Sequence, residues 1–245
     1  MSADRYIEAA KAALDEVLRR SRDDILAASE LLVDTIRAGS CIYSFGCSHS
    51  FMLTEEVVYR TGGLAIINPV VPHGMMLDVR PIPMTSRIER VSGLGAVYAD
   101  GAGIAAGDAV IVASTSGRNP VVVDFAIRAG ERGAKVIAIT SVEYTEAVSS
   151  RHPGGLKLRD VADVVIDNAA PAGDAAVAVE GFEQRVGPLS TLTGVAVMNA
   201  MVCEVVARMV AAGEMPPVFV SGNLDWGEAH NKRLFAENGH RIKYL

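Results

Sequence analysis

The chain has 245 residues, 50% of them hydrophobic and 21% charged, with a formal net charge of −6. That balance fits a packed core and excludes a disordered chain; no basic patch, RNA-binding aromatic motif or helix-turn-helix accompanies it, so no nucleic-acid partner is expected. Three cysteines, Cys41, Cys47 and Cys203, are odd in number and too scattered for a disulfide framework or a zinc knuckle, and they suit a reducing cytoplasm, the expected location.

Residues 4–38 place Ile7, Leu14, Leu18, Ile25, Leu32 and Ile36 at helical spacing among charged residues, which predicts a long amphipathic helix. Ser21-Arg22-Asp23-Asp24 is a point where it can divide in two, with Ser21 as a cap. The N-terminus is charged and lacks an apolar signal core. Residues 40–45 read as a strand that runs into Gly46-Cys47-Ser48-His49-Ser50 and then a helix over 51–60. Gly62-Gly63 is a plausible C-cap, followed by a short buried strand over 64–67. Residues 68–83 form a proline-rich loop containing His73-Gly74, of a length that is often functional. A helix over 87–98 carries Glu89, and Gly101, Gly103 and Gly107 turn the chain into an apolar strand over 108–113.

That strand opens into Ser114-Thr115-Ser116-Gly117-Arg118-Asn119, and a helix over 120–132 follows, with Asn119 as a competent N-cap and Pro120 in the first turn. The helix stops at Gly133, and residues 135–140 make the next strand, a βαβ unit whose two strands should be parallel. A helix over 142–150, a turn over 151–158, a strand over 161–167, a loop over 168–173 and a short strand over 175–179 come next. The helix over 188–212 is apolar on more than one face, which suits deep burial or a subunit interface. Asn199, Glu204 and Arg208 interrupt it, so it falls short of the roughly 20 apolar residues that span a bilayer, and no membrane partner is expected. Met215-Pro216-Pro217 ends that element, and a last helix over 225–237 carries His230, Asn231 and Lys232. The expected fold is one α/β domain over residues 1–245: a flavodoxin-like α/β/α sandwich of three layers around a five-stranded parallel sheet. It divides into a helical segment (1–38), a sheet core (39–213) and a helical tail (214–245).

The chain thus makes a strand, a small polar loop and a helix start twice. In an open parallel sheet both loops lie at carboxyl ends of strands, where such folds bind ligands. Free N–H groups at a helix start and neighbouring hydroxyls suit an anion, and Gly117 lets backbone approach it. The candidate donors are Ser48, His49, Ser50, Ser114, Thr115, Ser116, the backbone at Gly117, and Asn119. Arg118 adds charge or is a solvated surface residue, and a capped helix after an ordinary strand remains the plain alternative.

Ser114-Thr115-Ser116-Gly117-Arg118-Asn119, Phe45-Gly46-Cys47-Ser48-His49-Ser50 and the later Gly187-Pro188-Leu189-Ser190-Thr191 together resemble the SIS (sugar isomerase) domain family, over nearly the whole chain. Two departures stand out: Ser48 where many members have a second glycine, and Asn119 where they have Ser or Thr. The resemblance implies a phosphorylated sugar as ligand, with the serine-rich loops on its phosphate. It implies an aldose–ketose sugar-phosphate isomerase working through an enediol, with a sugar-phosphate lyase or etherase, or a non-catalytic phosphosugar sensor, as alternatives. An enediol route needs a base between adjacent carbons and a group that opens the ring. Glu56, on a stretch similar to the matching helix of phosphoheptose isomerase, and Glu89 compete as the base. Glu56 reads equally well as the partner of Arg60 in an i,i+4 pair. His230 is the candidate acid/base, with Lys232 behind it; His73-Gly74 has a counterpart in some members. Phosphoheptose isomerase holds zinc through a histidine on the helix after the first loop; Phe51-Met52-Leu53 supplies none, so no metal and no cofactor is expected. Family members pair their domains near the sites, which implies a homodimer or larger homo-oligomer.

Overall fold

A computed structural model describes all residues, Met1–Leu245. Strands β1 (Ile42–Gly46), β2 (Ile67–Pro69), β3 (Ala109–Ala113), β4 (Lys135–Thr140) and β5 (Val164–Asp167) form one sheet in the order β2-β1-β3-β4-β5, with every pairing parallel. The inner strands are almost continuous apolar runs because both faces are covered. Alternation along the strands sends Ile111 and Ala113, Ile137 and Ile139 to one core, and Val110 and Val112, Val136 and Ala138 to the other.

The first core is closed by α1 (Ser2–Arg37), α2 (Phe51–Val57) and α7 (Ser190–Ala211), with Leu234 of α8 (Gly227–Asn238) at its edge. The second lies under α4 (Leu94–Gly101) and α5 (Pro120–Glu131), where Phe45 stacks on Phe125 at 4.1 Å between ring centroids. The result is the expected three layers around five parallel strands. Ser44 is buried within β1, and a 2.8 Å hydrogen bond with Thr54 Oγ1 satisfies its hydroxyl.

Several elements differ from the sequence-based expectation. α1 runs unbroken through Ser21, whose buried hydroxyl donates to the Asp167 carbonyl at 2.8 Å rather than capping a new helix. α2 ends at Val57, before Arg60, because Val58 is extended and Tyr59 turns left-handed. Leu64 makes only an isolated bridge to Val218, so the strand begins at Ile67. The single helix expected over 87–98 is two: α3 (Met84–Ile88) and α4, parted at Gly93. Gly93 has φ +83, and its N–H donates to Asp124 Oδ2 at 2.7 Å. α6 (Val142–Ala147) is shorter than expected. β6 (Ala175–Val179) pairs with β7 (Phe182–Pro188) as an antiparallel hairpin, where the long helix was expected to start at Pro188. α7 is 22 residues and, by length and composition, apolar enough to cross a membrane; in this fold its apolar face packs on α1 and α2.

Candidate functional site

β1 and β3 are hydrogen-bonded neighbours, yet the chain leaves β1 towards β2 on one side and β3 towards β4 on the other. That reversal is a topological switch point, where open α/β sheets leave a crevice beyond the strand ends. Gly46 pairs with Ala113, so the two polar loops start at the same level.

The first loop folds as a single 3-10 turn, Ser48–Ser50, leading into α2. Gly46 is required there, since a Cβ would sit 2.6 Å from the Ser50 carbonyl oxygen. Ser48 holds φ +51, its N–H donating to the Met75 carbonyl at 2.7 Å. The second loop is pinned on its outer side. Ser114 N donates to the Ile139 carbonyl at 3.0 Å, and the Thr115 carbonyl accepts from Ser141 N and Thr140 Oγ1. The Ser116 carbonyl accepts from Thr145 Oγ1, and Gly117, at φ +59, donates to Ser114 Oγ at 3.3 Å.

Between the loops lies a cleft of about 180 Å³, lined by Ser48, His49, Ser50, Ser114, Thr115, Ser116, Asn119 and Glu89 together with Cys47, Val122 and Tyr144. The hydroxyls of Ser50, Thr115 and Ser116 donate no hydrogen bond within the chain and remain available. Ser190, Thr191 and Asn168 line a narrow adjoining crevice of about 10 Å³, room for roughly one water.

Glu89 enters from the far side. The break between α3 and α4 leaves it just past the end of α3, where its carbonyl accepts from Val121 N at 3.3 Å. One carboxylate oxygen accepts from Ser48 Oγ at 2.7 Å and the other from Asn119 Nδ2 at 2.8 Å, so one carboxylate ties the two loops together. Asn119 does start α5, but its side chain makes no capping bond; it turns to Glu89 and, through Oδ1, to Arg151 Nη1 at 3.1 Å. Cys47 lies beneath, its thiol pushed well up by burial and then by the charge of Glu89.

Two other predicted residues stand apart from this cleft within the chain. Glu56 faces α7, accepting from Arg60 Nε at 2.9 Å and from Asn199 Nδ2 at 3.3 Å. His230 lies on α8, its Nε2 3.1 Å from the Val218 carbonyl oxygen and its ring edge-on to Trp226. The Gly46-to-Val57 connection accounts for Glu56: a helix that rises from the first loop and packs on α7 turns position 56 towards α7. His73 borders a different hollow, with Tyr43, Asn68 and Lys243. Sequence reasoning passed over Tyr144 and Arg151, which come from the segment after β4; the only available signal was their place beyond the next strand's carboxyl end.

A family model described as "SIS domain" matches residues 5–141. A UPF0309 protein of Shouchella clausii is 38% identical over 98% of this chain and 99% of its own length, and one of Streptomyces griseus is 40% identical over 99% and 97%. Among solved structures, phosphoheptose isomerase GmhA from Neisseria gonorrhoeae matches with a TM-score of 0.57 at 18% identity, covering 84% of this chain and 96% of that one. The Vibrio vulnificus NanR protein complexed with ManNAc-6P matches with a TM-score of 0.51 at 12% identity, over 98% and 70%. Sequence and fold agree: the chain belongs to the SIS domain family and, within it, to the UPF0309 proteins.

Proposed function

We propose that the cleft at the β1/β3 switch point binds a phosphorylated sugar and that the chain interconverts its aldose and ketose forms. The phosphate is held by Ser114, Thr115, Ser116 and Ser50 and by amide hydrogens around Gly117, neutral donors that an acidic protein can gather locally. Glu89 moves the proton between adjacent sugar carbons, and His49, the one imidazole lining the cleft, assists ring opening. The observation that carries this reading is the position of Glu89: a carboxylate standing across the cleft from unengaged hydroxyls on the facing loop. Isomerisation fits the likeness to the phosphoheptose isomerase GmhA, and sugar-phosphate binding fits the likeness to the NanR protein complexed with ManNAc-6P. Glu89 thereby replaces Glu56 as the working base, and His49 replaces His230.

The experiment is solvent-deuterium incorporation at the sugar's first two carbons, followed by NMR over a panel of pentose, hexose and heptose phosphates. Glu89→Gln should reduce exchange and turnover by roughly hundredfold or more, with sugar-phosphate binding retained. A second reading, a binding protein without chemistry, draws on the fact that both Glu89 oxygens are already engaged by Ser48 and Asn119. It wins if wild-type protein binds a sugar phosphate yet exchanges no proton on any of the panel.

The oligomeric state belongs to the same proposal. Ile7, Leu14 and Leu18 form an exposed apolar row along α1, with Leu18 64% exposed. We propose that a second copy of the chain covers this row, giving a homodimer.

A further inference from the structure

Three guanidinium groups gather beyond the Asn119 end of the cleft, and none of them is paired with a carboxylate. Arg151 donates from Nη1 to Asn119 Oδ1 at 3.1 Å, and its backbone N–H donates to the Arg118 carbonyl at 2.9 Å. Arg118 reaches Ser149 Oγ at 3.3 Å through Nη2, while its Nε is buried with no hydrogen-bond partner. Arg90 follows Glu89 in the chain. Though its side chain is exposed, the Arg151 guanidinium is held below its usual range by partial desolvation first and then by the like charges of Arg118 and Arg90, against the opposing pull of Tyr144 and Glu89.

Some arginines of this chain pair with acids, as Arg132 does with Asp100 and Arg37 with Glu214, and several exposed ones, Arg5 and Arg22 among them, do not. What sets Arg118 and Arg151 apart is that they lie together, joined to each other and to Asn119 at the edge of the cleft. Here the nearby acid is Glu89, and Ser48 and Asn119 already occupy both of its oxygens. Gathered guanidinium groups with spare donors and no counter-charge repel one another until an anion sits among them, and their planar forks match a carboxylate or a phosphate. Asn119 fixes where that anion lies, because its Nδ2 faces the cleft carboxylate while its Oδ1 holds Arg151. The anion is therefore within reach of a ligand already seated by its phosphate in the cleft.

We propose that Arg118 and Arg151 form a second anion subsite, and that the preferred ligand is a phosphosugar carrying a second acidic group, a carboxylate or another phosphate. This rests on the reading of the serine loops as a phosphate site. The test is isothermal titration of the full chain with glucose 6-phosphate, 6-phosphogluconate and fructose 1,6-bisphosphate. At least one diacidic probe should bind roughly tenfold or more tightly than glucose 6-phosphate, and which one does so identifies the second group. Arg118→Gln with Arg151→Gln should erase that advantage while leaving glucose 6-phosphate within about twofold of its wild-type affinity. Arg151→Gln alone, at an exposed position, should erase part of it. Equal wild-type affinity for all three probes overturns the second subsite and leaves the phosphate reading standing. So does an equal loss across all three in the arginine variants, which would put both arginines on the same phosphate. Absence of binding by every probe overturns both.

Discussion

Ser48 shows how one residue can be strained and held at once. Its φ of +51 belongs to the left-handed region, which costs a residue with a Cβ roughly 1–2 kcal/mol. It is kept there by its N–H on Met75 and its hydroxyl on Glu89. Ser48→Ala retains the strain and loses the hydroxyl bond, so it should be less stable than wild type by about 1 kcal/mol. Ser48→Gly loses the bond and the strain together and should be at least as stable as the alanine variant. Urea unfolding of the two proteins measures this order, and a glycine variant weaker than the alanine one would contradict the strain assignment. At this scale the loop residues that line the cleft were legible in the sequence, since small hydroxyls at a strand-to-helix turn announce themselves. Which of Glu56 and Glu89 lines the cleft within one chain was not, because that depends on α2 packing against α7 and on the Gly93 break. Arg151 was out of reach altogether: its partner Asn119 is 32 positions away in the chain, joined only by tertiary structure.

Among the elements, the α4–α5 crossing positions Glu89. The two helices approach so closely that Gly95 faces the Val121 carbonyl oxygen, with no room for a Cβ, and the same turn of α5 sends Val121 N to the Glu89 carbonyl. Gly95→Ala pushes against backbone rather than a side chain that can move aside, so it should cost about 3 kcal/mol. In a chain of this size that lowers the melting temperature by roughly 10 °C. A melting point unchanged from wild type would show that the crossing is not tight. Helices with regular apolar spacing, such as α1 and α7, were readable from periodicity. The β6–β7 hairpin was not recognised, although Glu180-Gly181 between two extended runs is a turn signal and Gly181 takes φ +76. Phe182 and Val186 are exposed, so β7 lacks the buried alternation that marks a strand.

For the molecule as a whole, strand order does most to create a site. A sheet ordered β2-β1-β3-β4-β5 reverses direction between β1 and β3, and the two serine-bearing loops are the ones that flank the reversal. The sequence could supply five strands and two matching loops; that they adjoin followed only from the pairing. A homodimer covering the apolar row of α1 should give, by light scattering at micromolar concentration, twice the mass of one chain. A monomer under those conditions would refute the shared interface without touching the cleft.

The most direct measurement is calorimetric titration of sugar phosphates into wild-type protein and into the variant carrying Ser114→Ala and Ser116→Ala, with circular dichroism to establish that the variant is folded. Loss of the two hydroxyls should weaken the tightest-binding sugar phosphate by roughly hundredfold or more. Affinity preserved within about twofold in the folded variant would contradict the assignment of this loop to the phosphate.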